Sequence, residues 1–262
     1  MMAAGAVLVA GCAAGSAEAA PKVALPPVDG QVDYQLGGGY APPKGTKVVV
    51  RDRAEKPAAG VYSVCYVNAF QTQASEAGFW AKRPELLLKG DDGKPVVDPD
   101  WPDEHVLDTS TKAKRDAIAT IEFGWIDGCA AKGFKAVDPD NLDTWQRFPG
   151  KLSRSGNLAL VKLLAERAHA RGMAIGQKNS VELGRRGKDA GLDFAVVEEC
   201  QVYDECDGYL KVFGRHVIEI EYTTGGKANF AAACEDHGNI SIVYRDLDLM
   251  PKGAKGYVYA AC

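Results

Sequence analysis

The chain has 262 residues, of which 46% are hydrophobic and 25% are charged, and its formal net charge is −4. This composition supplies a sizeable apolar core and excludes a largely disordered chain. The acidic balance argues against nucleic acid as a partner, because proteins that bind nucleic acid present a basic face. The length suits one large domain, and single parallel barrels commonly contain about 250 residues.

The N-terminus has the features of an export signal. Residues 1–11 are apolar and uncharged, and Cys12 follows a Val-Ala-Gly run, which resembles a bacterial lipoprotein signal with the lipid on this cysteine. We therefore expect a signal peptide over 1–12, a protein outside the cytoplasm or on the cell surface, and membrane contact only through that lipid. The segment lacks the positive charge that usually begins a signal peptide, so a disordered tail on a cytosolic protein is the alternative. Residues 13–30, rich in Ala, Gly, Ser and Pro, predict a flexible tether, and 31–262 form one domain.

Cysteine usage agrees with an oxidising compartment. Apart from Cys12, an even set of six remains, which fits up to three disulfides with fifteen connectivities. Cys200 and Cys206 are close enough in sequence to close a small loop. Because the sequence contains no CxxC pair and only four histidines, we predict no metal site, and we predict no cofactor. The six cysteines are Cys65, Cys129, Cys200, Cys206, Cys234 and Cys262.

Eight short runs rich in β-branched residues predict strands, which is the number that a closed parallel barrel needs. Helical patterns at 111–132, 157–171, 180–190, 204–213 and 227–237 separate the later strands, with Asn157 as a candidate N-cap and Gly133 as a stop. The fold class is thus α/β, a single (β/α)₈ TIM-type barrel with short or missing helices between its first strands. A doubly wound open sheet is the alternative, although no Gly-rich fingerprint follows a strand. The predicted strands are 34–36, 48–51, 62–68, 134–140, 173–179, 194–199, 217–222 and 240–246.

Acidic residues are frequent at the ends of these strands, where the active site of a parallel barrel lies. Hydrolysis of a glycosidic bond needs two carboxyl groups, one to protonate the leaving oxygen and one to attack the sugar or activate water. Side chains alternate along a strand, so Asp138 and Asp140 point to one side, whereas Glu198 and Glu199 point to opposite sides. Acids at a barrel mouth also bind divalent metals, which leaves a metal-dependent hydrolase as a competing interpretation.

Several motifs resemble glycoside hydrolase family 114, which is typified by endo-α-1,4-polygalactosaminidases. The motifs are YQLGG at 34–38, CYVNAF at 65–70, GFKAVDPDNLD at 133–143, QKN at 177–179, AVVEEC at 195–200, DEC at 204–206 and IEIEY at 218–222. The resemblance covers nearly all of residues 31–262. It implies a barrel that hydrolyses polymers of α-1,4-linked galactosamine. The expected partner is therefore this polysaccharide substrate, which is a polycation.

The resemblance also implies the catalytic pair. The Glu/Asp-Pro-Asp-Asn motif of the family coincides with residues 138–141, which makes Asp140 the catalytic aspartate. Its Asn-Glu-Gln-Cys-like motif coincides with residues 197–200, which makes Glu198 the partner; Val197 and Glu199 depart from that pattern. By analogy with retaining barrels, Asp140 is the expected nucleophile and Glu198 the expected general acid/base.

Ten further residues at the predicted mouth are candidates for substrate binding. Lys178 either contacts the substrate or holds Asp140 in place by an ion pair, and Tyr66, Tyr222 and Trp145 are candidate stacking platforms. Glu199, Cys200 and Cys206 are interpreted as structural. We expect a monomer, and a barrel that binds amino-sugar polymer without cleaving it is a further alternative. The candidates are Asp138, Asn141, Asp143, Tyr66, Asn68, Lys178, Asn179, Glu221, Tyr222 and Asp246.

Overall fold

The computed structural model describes Met1 and residues 23–262, and a nine-stranded sheet rolled into a nearly closed barrel lies at its centre. The strands follow one another around the barrel in chain order, and every neighbouring pair from the first to the eighth is parallel. The strands are β1 Val32–Gln35, β2 Val48–Asp52, β3 Tyr62–Asn68, β4 Ala136–Asp140, β5 Ala174–Lys178, β6 Phe194–Glu198, β7 Val217–Tyr222, β8 Ser241–Arg245 and β9 Tyr259–Ala261.

The nearly closed ring has its two ends at β1 and β8, which lie side by side. There the backbone N–H of Gly30 donates to Ser241 Oγ at 3.1 Å, and the guanidinium of Arg245 donates to the carbonyl oxygen of Tyr34. The eight predicted strands and the barrel are thereby confirmed, and the open doubly wound sheet is excluded. The antiparallel strand β9 was not predicted, because its Tyr-Ala-Ala sequence is short and carries no β-branched residue.

Successive side chains along each strand point alternately into and out of the barrel, which creates two apolar layers. Inside the barrel, Val48, Val50 and Val64 pack with the small side chains of Ala136 and Ala174. The side chains between them point outward and pack under the helices, as Cys65, Val67, Val137 and Ile175 do. A strand that is buried on both faces consists of consecutive apolar residues, which is why these segments were recognisable in the sequence.

The helices lie outside the barrel and are concentrated in the second half of the chain. They are α1 Ala77–Trp80, α2 Lys112–Lys132, α3 Thr144–Arg147, α4 Arg154–Ala170, α5 Arg185–Asp189, α6 Cys206–Phe213 and α7 Lys227–His237, with short 3₁₀ helices at Ala74–Glu76, Pro84–Leu86 and Val181–Leu183. Among the described residues, none of these helices is long and apolar enough to cross a membrane. The connections between β1, β2 and β3 contain no helix, as predicted.

The ends of the two long helices test the capping predictions. Helix α2 stops at Gly133 as predicted, and this C-cap glycine adopts the left-handed conformation (φ 98°). The predicted N-cap at Asn157 is wrong, because Ser153 caps α4 by accepting from the backbone N–H of Gly156 at 3.1 Å. Asn157 instead lies buried inside the first turn and donates to the carbonyl oxygen of Leu142 at 2.8 Å. An asparagine in this helix therefore serves tertiary hydrogen bonding rather than capping.

The long connection between β3 and β4, residues 69–135, folds back on itself before entering α2. Isolated antiparallel bridges join Leu87 to Leu107 and Val97 to His105, so the segment doubles back as an irregular hairpin. Its turn places Trp101 and Glu104 at the cleft formed at the carboxyl ends of the strands. Residues 69–110 carry no regular hydrophobic period, so this element was not predicted.

Part of the predicted tether belongs to the folded domain. The carbonyl oxygen of Ala24 accepts from Tyr62 Oη at 2.6 Å, and Val23 and Leu25 pack against the apolar interior of the barrel. Residues 23–30 thus pack near the amino ends of the strands rather than forming a free linker, since their apolar side chains have a surface to cover there. The predictions of a signal peptide, of lipidation at Cys12 and of a tether over 13–22 fall outside the described residues.

Three disulfides join the six cysteines. Cys65 on β3 pairs with Cys129 on α2, and Cys200 pairs with Cys206 across the small loop that the spacing suggested. Cys234 on α7 pairs with the C-terminal Cys262. Each bridge therefore fixes an outer segment to a neighbouring part of the barrel wall or its helices.

Candidate active site

A cleft of about 360 Å³ opens at the carboxyl ends of the strands. This is the end of a parallel barrel where catalytic groups are found, because the connecting loops converge there. The lining residues are Tyr34, Leu36, Gly37, Asp52, Tyr66, Gln73, Trp101, Glu104, Asp140, Asn141, Lys178, Glu198, Tyr222, Leu247, Asp248 and Leu249.

Asp140, the last residue of β4, is held by three donors. Tyr66 Oη donates to Oδ2 at 2.6 Å, the backbone N–H of Asn141 donates to Oδ1 at 2.7 Å, and Lys178 Nζ lies 3.3 Å from Oδ1. Burial acts to raise the pKa of Asp140, but Lys178 and the two hydrogen bonds outweigh burial and hold this pKa below its usual value. Asp140 is therefore ionised at neutral pH, as a nucleophile or base requires.

Glu198, the last residue of β6, is fixed from both sides of its carboxylate. Tyr222 Oη donates to Oε1 at 2.5 Å, and Asn179 Nδ2 donates to Oε2 at 3.1 Å. The amide oxygen of Asn179 in turn accepts from the backbone N–H of Glu198 at 2.9 Å. This two-way contact with Asn179 sets the orientation of the glutamate at the end of its strand.

Lys178, on the strand between them, lies between the two carboxylates. Its ammonium is 3.3 Å from Asp140 Oδ1 and 3.4 Å from Glu198 Oε2, and only 2% of its side chain is exposed. Burial disfavours the ammonium, yet the surrounding carboxylates outweigh that effect and hold the pKa of Lys178 well above its usual value. Lys178 is therefore a fixed positive charge that offsets the repulsion between negative charges at this point of the cleft.

The floor of the cleft contains a second aspartate and a tyrosine. Tyr34 Oη accepts from Lys178 Nζ at 3.0 Å and donates to Asp138 Oδ2 over a long 3.4 Å. Asp138 is fully buried one layer below Asp140, and its Oδ1 has no hydrogen-bond partner in the part of the chain described. Burial raises the pKa of Asp138 to about 7, although Lys178 opposes this. Asp138 thus supports the floor and does not line the cleft itself.

Strained backbone marks each of the three strand ends that carry these groups. Asn141, Asn179 and Glu199 all have positive φ, at 64°, 45° and 56°, and each directly follows one of the cleft residues Asp140, Lys178 and Glu198. Positive φ is costly for a residue other than glycine and is tolerated only where surrounding contacts enforce it. The sharp bend lets the strand end present its last side chain to the cleft while the chain turns away.

A hydrogen-bond chain supports the side of the cleft next to Asp140. Asn141 Nδ2 donates to Asn68 Oδ1 at 2.8 Å, and Arg147 Nη2 donates to Asn141 Oδ1 at 2.8 Å. Arg147 also pairs with Asp143, its Nε lying 2.9 Å from Oδ2. Asp143 and Asn179 both line a smaller neighbouring pocket that Glu198 shares. The predicted residues Asn68, Asn141, Asp143 and Asn179 are therefore brought to one region.

The structure does not bring three other candidates to the cleft. Glu221 points outward because Tyr222 next to it points inward, and its Oε1 accepts from the backbone N–H of Gln201 at 3.1 Å. Asp246 accepts from the backbone N–H groups of Met250 and Val258 at 2.7 and 3.0 Å, so it organises the loop after β8. Trp145 packs against the helix layer and does not line the cleft.

Sequence reasoning missed several lining residues. Tyr34 belongs to the YQLGG motif but was not among the predicted site residues, although its side chain points into the barrel from the first strand. Trp101 and Glu104 come from the irregular segment between β3 and β4, where no periodicity indicates which side chains reach the cleft. Burial raises the pKa of Glu104 to about 7, the hydrogen bond from Asn68 opposing this and the charge of Asp140 adding to it.

Two carboxyl groups lie on either side of a fixed cation at the mouth of a parallel barrel, and paired carboxyl groups are the kind of arrangement that barrel glycosidases use. The family model of glycoside-hydrolase family GH114 matches residues 13–262. The chain therefore belongs to this family and is a glycosidase, as the sequence motifs indicated.

Solved structures share the fold. The chain is similar to Aspergillus fumigatus Ega3, whose structure was determined as a complex with galactosamine, with 23% identity and a TM-score of 0.73 over 94% of this chain and 100% of that one. It is also similar to the glycoside hydrolase domain of PelA from Pseudomonas aeruginosa, with 16% identity and a TM-score of 0.60 over 86% of this chain and 97% of that one. A comparison with curated proteins gives no match.

Proposed function

We propose that the protein hydrolyses polysaccharides of α-1,4-linked galactosamine, with Asp140 as nucleophile and Glu198 as general acid/base. The observation that carries the proposal is the placement of Lys178 between these two carboxylates, which keeps Asp140 ionised. The similarity to a structure that holds galactosamine supports the choice of sugar. Carboxylates in excess over cations along the cleft support a cationic polymer as the substrate.

The proposed mechanism is retaining. The two contacts of Lys178, 3.3 and 3.4 Å, limit the separation of Asp140 Oδ1 and Glu198 Oε2 to at most about 6.7 Å. This bound includes the separation of about 5–5.5 Å that retaining enzymes use and overlaps only the lower end of the range of about 6.5–9.5 Å that inverting enzymes use. In the first step Asp140 attacks the anomeric carbon while Glu198 protonates the leaving oxygen. In the second step Glu198 deprotonates a water molecule, which displaces Asp140 and releases the sugar with its original configuration.

Lys178 also bears on the metal-dependent alternative. A divalent cation shared by Asp140 and Glu198 would have to occupy the space that the ammonium already fills. We therefore expect activity to persist in EDTA, and loss of activity that added divalent metal restores would favour the metal-dependent reaction.

The test measures release of reducing ends from α-1,4-galactosamine polymer. Asp140→Asn and Glu198→Gln should each lower kcat by at least about 1,000-fold, since each removes a group that the chemistry needs. Glu199→Gln is the matched control for Glu198, because it is the adjacent glutamate, does not line the cleft and bonds Thr224 instead. Retention of activity in either catalytic variant would overturn the assignment. Proton NMR of the first products distinguishes retention, which gives the α-anomer, from inversion.

We further propose that the protein acts outside the cytoplasm as a monomer anchored by lipid on Cys12. The six disulfide-bonded cysteines support an oxidising compartment. Labelling with palmitate should mark the wild-type protein and not Cys12→Ala, and equal labelling of both would refute the anchor.

A further inference from the structure

We propose that Glu104 binds the ammonium group of a galactosamine unit and thereby selects de-acetylated polymer over its N-acetylated form. The inference rests on the proposed function and assigns the choice between the two sugar forms to one side chain. Glu104 lines the same cleft as Asp140 and Glu198, although it comes from the irregular segment between β3 and β4.

The carboxylate of Glu104 has a free acceptor. Its Oε2 accepts from Asn68 Nδ2 at 2.9 Å, and Oε1 accepts no hydrogen bond from the described part of the chain. Among the same residues, no lysine, arginine or histidine forms an ion pair with it; the nearby Arg147 is engaged with Asp98 and Asp143. A half-buried carboxylate without a cation of its own gains most from a cationic ligand, because the ligand supplies the missing counter-charge.

The turn that carries Glu104 is held firmly. Asp98 is fully buried, and its Oδ1 accepts from the backbone N–H groups of Asp100 and Trp101 at 2.9 and 3.3 Å. The backbone N–H of Glu104 donates to the carbonyl oxygen of Trp101, and the N–H of Asp98 donates to that of Glu104. A ligand therefore meets a preformed group, and little conformational entropy is lost when it binds.

Trp101 supplies an apolar surface on the same turn. More than half of its side chain is exposed (54%), although it lines the cleft. An exposed indole in a cleft is a platform on which a sugar ring can stack, with its amino group presented to a neighbouring acid. The pairing of an aromatic face with an unpaired carboxylate fits an amino sugar better than a neutral one.

The charge balance of the cleft points to the same ligand. Its lining includes the carboxylates of Asp52, Glu104 and Asp248 besides the catalytic pair, and Lys178 is buried between that pair. Burial raises the pKa of Glu104 to about 7, with the neighbouring charge of Asp140 adding to this effect. An ammonium beside Glu104 offsets both the cost of burying an ionised carboxylate and its repulsion by Asp140, whereas a neutral N-acetyl group offsets neither.

The experiment compares binding of two oligosaccharides, α-1,4-galactosamine and its N-acetylated form, by isothermal titration calorimetry. The wild-type protein should prefer the galactosamine oligomer, and E104Q should weaken its binding by about tenfold while leaving the N-acetylated oligomer unchanged. Asp103→Asn removes an exposed acid from the same turn without touching the cleft, so it controls for general charge and should keep the preference.

The pH dependence supplies a second readout. Because Glu104 must be ionised and the sugar amine must be protonated, the wild-type preference should increase as the pH rises from about 5 to about 7, below the range in which the amine itself loses its proton, and this increase should be absent in E104Q. If Glu104 acted only by positioning Asn68, E104Q would weaken both oligomers alike, and that result would overturn the inference. A wild-type protein that binds neither oligomer would contradict the proposed function as well, whereas an unchanged preference in E104Q would contradict the inference alone.

Discussion

Replacing Lys178 with methionine keeps an unbranched side chain in the cleft and removes the ammonium that contacts both Asp140 and Glu198. At an effective dielectric constant of about 20, a contact of this length contributes about 5 kcal/mol of Coulomb energy, which is an upper limit because tyrosine hydroxyls also stabilise the carboxylates. If ionised Asp140 loses only about 2.7 kcal/mol of this stabilisation, the rate falls by about 100-fold. We therefore expect kcat/KM at neutral pH to fall by at least about 100-fold.

The pH profile shows whether charge is the cause. Lys178 holds the pKa of Asp140 below its usual value, so its removal raises that pKa, and the ionised nucleophile then predominates only at higher pH. The acidic limb of kcat/KM against pH should consequently move upward in Lys178→Met, and part of the lost activity should return as the pH is raised.

The assay follows reducing ends from the galactosamine polymer at a series of pH values, with circular dichroism to verify the fold. Lys151→Met is the matched control, because Lys151 pairs with the exposed Asp91 away from the cleft. A decrease of less than threefold, or a loss of activity with the acidic limb unmoved, would refute the electrostatic role of Lys178.

Two further predictions concern stability. Replacing both Cys234 and Cys262 with serine opens a loop with a sequence separation of 28 and should lower the free energy of unfolding by about 3–4 kcal/mol, or Tm by about 10 °C, in a thermal melt; a change below 2 °C would contradict it. Glu122 is fully buried on α2, both its oxygens lack partners in the described part of the chain, and burial raises its pKa well above the usual value. The folded state then holds a proton that the unfolded state releases above about pH 4.3, so the free energy of unfolding should fall with rising pH in the wild type and less so in Glu122→Gln. Urea unfolding at pH 5 and pH 8 measures this difference. An equal decrease in both proteins between the two pH values would rule the prediction out.

The strands and part of the site followed from local sequence. Strands buried on both faces must be apolar and β-branched, so eight of the nine were visible as runs, and the long helix α2 ended at its glycine. The position of a polar residue at the end of such a run places it at the barrel mouth, which is why Asp140, Lys178 and Glu198 were all found. The pairing of these three as one cluster, however, needed the family motifs, because several other acids also end strands.

Tertiary structure decided which of the remaining side chains reach the cleft. Glu221 was counted at the mouth although its neighbour Tyr222 points inward, and the register of β7 sends it to the helix side. Glu104 and Trp101 approach from a long connection whose course depends on distant contacts such as that between Arg147 and Asp98.

Distances across the barrel were likewise beyond the reach of the sequence. Lys178 contacts both acids because the curvature of the nearly closed sheet directs the ends of β4, β5 and β6 toward one point. Local sequence determines which residues form strands and where they end, since burial and backbone preference act over a few residues. Closure of the barrel, which depends on all strands together, determines which strand ends share an ion and which loop completes the cleft.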